Sequence, residues 1–258
     1  RLIKKLMGVA SKRTWPVYEK KTLLQWSVDY KQKKSNQVVC LLVDEFINYA
    51  ETYIGIKAVK LLNALGYEVF FTPLMDSGRS QLSLGLLDEA RICAERNVQI
   101  LSALLDNNTP LLGLEPSTLL GFRDEYPRLV SDKSLANSIA DNCYMIEAFI
   151  AKETREGKIT SASFTDLSKD IHIHTHCHHK ALDNQQDIIT MLELPKNYTT
   201  TTIPSGCCGM AGSFGYAKER YEVSMQIGEE ILFPHIRKMP SKAVLAANGT
   251  SCRHQVYD

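Results

Sequence analysis

The chain has 258 residues, 44% of them hydrophobic and 23% charged, which suits one large domain or two small ones and excludes a disordered chain. Lysine plus arginine number 30 against 29 aspartates and glutamates, so no global field draws the chain to nucleic acid or to an anionic membrane. No apolar run reaches the roughly 20 residues of a bilayer span, and the basic start, Arg1 to Lys5, lacks the apolar core and cleavage site of a signal peptide.

The setting expected is therefore cytoplasmic, peripheral to the inner membrane at most. Residues 1–36 are cationic and weakly patterned, and read as a linker from an upstream part of a longer protein. Val38 to Val43 is a short apolar run without alternation, as in a strand buried on both faces of a parallel sheet. Ile54, Ala58, Leu61, Leu62 and Leu65 repeat at helical spacing, with Gly66 as the stop. Glu68 to Thr72 is a second strand, followed by the glycine-bearing loop Asp76 to Arg79. A long helix carries Leu87, Ala90, Cys93, Ala94, Leu101 and Leu104 on one face, and Pro110 to Leu114 is a third strand ending in Glu115-Pro116-Ser117-Thr118.

A helix from Ser134 to Lys152 is expected to join two halves, and after it the plan repeats. Asp170 to Thr175 is a strand that leads to Cys177, and Tyr198 to Ile203 is a second strand. The glycine-rich loop Ser205 to Gly215 follows, then the helix Ala217 to Leu232. The strand Ala243 to Ala246 leads to Asn248-Gly249-Thr250-Ser251-Cys252. The same sequence of strand, helix, strand, glycine loop, helix and strand indicates an internal duplication. The fold class expected is α/β, with two pseudo-repeated half-domains of short parallel sheets flanked by helices. Their bounds are 37–133 and 134–258, after the linker 1–36. Parallel strands end at one sheet edge, where such folds place their sites.

Seven cysteines without an export signal argue for thiols or metal ligands over a disulfide framework. Cys40, Cys93 and Cys143 fall among apolar residues and read as small buried hydrophobes. Cys177, Cys207, Cys208 and Cys252 lie in polar or glycine-rich loops and supply the four thiolates that a tetrahedral zinc or an iron–sulfur cluster needs. Adjacent residues of a regular strand face opposite ways, so Cys207 and Cys208 need a bend, which Gly206 and Gly209 allow. A multi-iron cluster suits such a pair better than one zinc. Structural zinc, plain reduced thiols and a strained vicinal disulfide remain as alternatives.

His172 and His174 share a strand face and read as structural. His176, His178 and His254 flank the cysteines and read as groups that hydrogen-bond around the centre. In the first half the equivalent positions are Asp44, Asp76, Ser77 and Thr118. They suit either a hard cation or a half that keeps the scaffold and has lost its centre.

With the segments "HTHCHHKAL", "SGCCGMAGSFGYAKERYEVSMQIGEEILFP" and "ANGTSCRHQ", the second half resembles the cysteine-rich CCG domain family. The narrower resemblance is to the C-terminal part of FAD-linked oxidases similar to D-lactate or D-2-hydroxyglutarate dehydrogenase, with "GLLDEARICAERNVQIL" and "LEPSTLLGFRDEYP" carrying it in the first half. The iron–sulfur component of glycolate oxidase and the cysteine-rich component of heterodisulfide reductase are related. The resemblance implies an iron–sulfur electron relay for a flavin-dependent 2-hydroxy acid dehydrogenase. FAD and a ferredoxin-like module would sit in upstream domains of the same protein. Four thiolates, where the heterodisulfide reductase type offers five, imply an ordinary [4Fe-4S] cubane. No flavin or nicotinamide fingerprint occurs in the chain, so it is not expected to oxidise substrate alone. A zinc-filled docking module and a thiol-reductase-like domain using Cys207 or Cys208 are the rival functions.

Overall fold

The strand β1, Val38–Leu41, is the spine of the first sheet, and from Val39 onward it is buried, as its unbroken apolar run predicts. Glu68–Phe71 (β2) and Leu111–Gly113 (β3) flank it, and Cys143–Met145 (β4) adds at the far edge, in the order β2-β1-β3-β4. All pairs are parallel, with Val39 opposite Val69, Cys40 opposite Leu111 and Leu111 opposite Cys143. Helices Thr52–Ala64 and Leu87–Leu104 return the chain between strands. Leu41, Leu62, Leu101, Leu111, Phe122 and Phe149 are fully buried in this core.

In the second sheet Lys169–His174 (β5) is central, between Tyr198–Thr202 (β6) and Val244–Ala247 (β7), again all parallel. The order β6-β5-β7 repeats β2-β1-β3, so each half places its second strand on one side of its first and its third on the other. The fold is mixed α/β, with two small parallel sheets flanked by helices. The computed structural model describes residues 2–106 and 108–258. Among these residues no helix is long and apolar enough to cross a membrane.

The chain forms two compact units, Val17–Ile159 and a second made of Arg1–Pro16 with Thr160–Asp258. Part of the segment read as linker is thus built into the second unit, where Arg13 is wholly buried. The single helix expected from Ser134 to Lys152 is instead two, Lys133–Asp141 and Ile146–Arg155, with β4 between them. Asn142 caps the first helix, and the three residues after it gain more by pairing with β3 than by extending a helical turn. The helix expected from Ala217 to Leu232 is Tyr221–Glu230, and a separate helix, Leu232–Lys238, follows it.

Candidate metal centre

Three connections leave the C-terminal edge of the second sheet, and each brings cysteine. Beyond β5, His176 is the N-cap of the helix Cys177–Leu182, so Cys177 opens that helix. Beyond β6, an irregular loop carries Cys207 and Cys208. Beyond β7, Gly249 precedes the helix Thr250–Tyr257, whose third residue is Cys252. The first sheet keeps these positions. Asp44 follows Leu41 as Cys177 follows His174, Ser77 follows Phe71 as Cys208 follows Thr202, and Thr118 follows Gly113 as Cys252 follows Ala247, each pair at the same offset.

The three connections are tied to one another. Lys180 Nζ donates to the carbonyl oxygens of Ser205 and Gly206, clamping the cysteine loop to the Cys177 helix. Asn248 Oδ1 accepts from the His176 backbone N–H at 3.0 Å, joining the first connection to the third. Gly209 has φ 95°, and a Cβ there would lie 2.1 Å from the Ser224 carbonyl oxygen. The left-handed bend and the close approach both require glycine. Gly206 differs: nothing lies within 4 Å of where its Cβ would stand, so the bend rests on Gly209.

The result is a run of thiols in hydrogen-bond contact. Cys177 bonds to Cys207, Cys207 to Cys208, and Cys208 to Cys252. The hydrogen bonds from Cys177 and Cys208 draw the Cys207 thiol pKa far below its ordinary value, while the hydrogen bond to Cys207, with burial, pushes Cys177 up. The hydrogen bond from Cys208 likewise draws Cys252 down, and those to Cys207 and Cys252 push Cys208 up. Thiols in such mutual contact share their protons, which a bound cation would displace. The Gly209 N–H also donates to Cys207 Sγ at 3.3 Å and the Met210 N–H to Cys208 Sγ at 3.5 Å.

Cys208 and Cys252 are buried in an apolar cluster with Ile203, Met210 and Leu232, whereas Cys177 and Cys207 are half-buried. All seven cysteines are free thiols. Cys40 and Cys143 are buried in the first sheet, and burial pushes both thiols up to about 12, as inert packing cysteines require. Cys93 is half-buried and not the core residue expected: it lies at the rim of its helix's buried face, between exposed Ile92 and buried Ala94.

The histidines divide. The His176 ring packs over Gly249, at the start of the connection that carries Cys252. His178 stacks on it, ring centroids 5.4 Å apart, and the His178 N–H donates to His176 Nδ1. His254 bonds Tyr216 through Nδ1 at 2.8 Å. His172 pairs with His235 at 2.8 Å. The residue that sequence reasoning misses is His174: its ligand atom and the Cys208 and Cys252 sulfurs all lie within 4.8 Å of one another, the three side chains buried together. Its signal is position. The last residue of a central parallel strand reaches the edge where the loops converge.

These donors fit a soft or borderline metal: four thiols, one imidazole, an apolar wall and two backbone N–H groups on sulfur. In the first unit burial raises the carboxyls of Asp44 and Glu45, with a further push on each from Glu115. Among the described residues, only His174, Cys208 and Cys252 bring three metal-binding atoms so near together.

No protein-family model matches the chain. One component of the anaerobic glycerol-3-phosphate dehydrogenase of Escherichia coli strain K12 is 26% identical over 99% of this chain and 64% of its own length. The D-2-hydroxyglutarate dehydrogenase of Pantoea ananatis is 27% identical over 85% of this chain and 21% of its own. Lactate utilization protein A of Bacillus velezensis is 25% identical over 74% of this chain and 79% of its own. The chain therefore spans just under two thirds of the first of these relatives and about a fifth of the second.

Proposed function

We propose that this chain, whose relatives are consistent with a CCG-domain protein of the FAD-linked oxidase group, is an electron-transfer part of a dehydrogenase that oxidises a hydroxy acid or glycerol 3-phosphate. The observation that carries the reading is the continuous contact of Cys177, Cys207, Cys208 and Cys252 from three separate strand ends. These four would hold a [4Fe-4S] cluster, which when bound supplies reversible one-electron storage.

The chain's own groups set the conditions for that storage. The Gly209 and Met210 N–H groups donate to cysteine sulfur, which favours the more negative reduced state and raises the potential. Ile203, Met210 and Leu232 keep water from the Cys208 and Cys252 side. Cys177 and Cys207, half-buried, form the face at which an electron donor or acceptor approaches. Substrate oxidation belongs to a flavin domain elsewhere in the full assembly, with a ferredoxin-like module between, and the acceptor is a quinone or another carrier.

A second reading, a structural zinc in a docking module, is favoured by the gathering of His174 with Cys208 and Cys252, a nitrogen and sulfur set that zinc accepts. Electronic absorption of the anaerobically isolated chain separates the two. A broad visible band that dithionite bleaches supports the relay. A colourless protein containing zinc overturns it in favour of docking.

A further inference from the structure

His174 ends β5 and is fully buried. Its Nδ1 lies 2.7 Å from Ser205 Oγ, on the loop that carries Cys207 and Cys208. Its Nε2 is equally inaccessible, and the buried partner that its ring meets on the side of the cysteines is the Cys252 thiol. A buried imidazole nitrogen that meets only thiols is placed to share whatever cation those thiols give up their protons to. Cys208 and Cys252 stand within 4.8 Å of the imidazole's donor atom.

We propose that His174 is a nitrogen ligand of the same centre, contributed through Nε2 on the side that Cys208 and Cys252 line. The inference rests on the reading of the site as metal-binding and adds to it the identity of a non-cysteine donor. The tautomer follows from Ser205. When Nδ1–H donates to the serine hydroxyl, the lone pair is left on Nε2, directed away from Ser205. Ser205 is in turn fixed by Lys180, whose ammonium holds the Ser205 carbonyl oxygen. Ser205 is thus a positioning residue for the ligand nitrogen.

A neutral imidazole has a consequence that a fifth thiolate would not. It binds without adding negative charge, and imidazole in place of thiolate raises the potential of an iron–sulfur centre. With His174 counted, the chain offers five donors: Cys177 and Cys207 are half-buried, whereas His174, Cys208 and Cys252 are enclosed. The centre is therefore asymmetric, with nitrogen on its buried side.

The test is pulsed electron paramagnetic resonance of the full chain, isolated anaerobically with iron and sulfide, reduced with dithionite and grown with either natural or 15N-labelled histidine. A coordinated-nitrogen coupling that changes with the label, and disappears in His174→Ala and His174→Gln while circular dichroism remains native, is the result expected. His174→Cys should retain iron, lose the coupling and lower the potential. Iron and sulfide present without a coordinated-nitrogen coupling, or a coupling that survives in His174→Gln, overturns the assignment and leaves the relay reading standing. If the chain takes up no iron, cobalt(II) alone is the probe. Thiolate-to-cobalt absorption with a histidine-dependent nitrogen coupling then supports the ligand and sinks the iron reading. A chain that takes up neither metal overturns both.

Discussion

Gly209 lies against Ser224 so closely that the notional Cβ of residue 209 falls 2.1 Å from the Ser224 carbonyl oxygen. That oxygen is itself held, accepting from Gln255 Nε2 at 3.0 Å, on the helix that carries Cys252. The contact therefore fixes the Cys207 and Cys208 loop against the Cys252 helix. Gly209→Ala has to relieve both this overlap and a left-handed backbone, the latter alone worth about 1–2 kcal/mol. The expected outcome is loss of most bound metal together with a lowered melting temperature, read by metal analysis and thermal unfolding. Gly206→Ala, with open space at its Cβ, should leave both unchanged.

Arg13 is wholly buried although it lies in a segment that reads as linker. Its Nε donates to the Gly215 carbonyl oxygen at 2.8 Å, one guanidinium nitrogen donates to Ser224 Oγ at 2.9 Å and to Gln255, and another pairs with Asp258 at 3.4 Å. Removing one partner from such a network leaves uncompensated buried polar groups, at a cost of about 3–5 kcal/mol. Arg13→Met should lower the urea midpoint of the second unit accordingly, and deletion of residues 1–16 should do at least as much harm. A midpoint unchanged by either would show the segment to be dispensable.

Asp44 stands in the first unit where Cys177 stands in the second. Burial, with a further push from Glu115 and Glu45, raises its carboxyl to about 8, against the opposing N–H bonds from Ile47 and Phe46. Because the folded value lies above the unfolded one, the protonated folded form contributes stability fully below about pH 4, and that stability is lost as pH rises through about 8. Wild-type protein should therefore lose stability between about pH 5 and pH 9. Asp44→Asn keeps the accepting oxygen and removes the titration, so its urea midpoint should fall less over the same range. Parallel pH profiles for the two proteins would contradict the assignment.

Much of this is readable from residue order, and the exceptions have physical reasons. The repeated strand order and the meeting of Cys177, Cys207, Cys208 and Cys252 are legible because glycine-rich strand ends in a parallel sheet leave few other places for those thiols. The strand β4 is not, since Leu135, Ile139, Cys143, Ile146 and Phe149 keep a helical spacing straight through it. Three residues are too few to announce a strand. Arg13 is hidden for the opposite reason: one arginine in a cationic stretch carries no periodicity, and its partners Gly215 and Ser224 lie at the other end of the chain. His174 reads as structural because a strand histidine usually is. Only the sheet's edge, which spacing alone does not locate to the residue, brings it to Cys208 and Cys252.

The most direct test of the account is iron and acid-labile sulfide content per chain after anaerobic isolation, in wild type and in single serine variants. Wild type should hold about four of each, Cys93→Ser should match it, and Cys177→Ser and Cys252→Ser should each lose most of both. Wild-type chain without iron and sulfide, or full content in Cys252→Ser, would contradict the claim that these three connections close around one cluster.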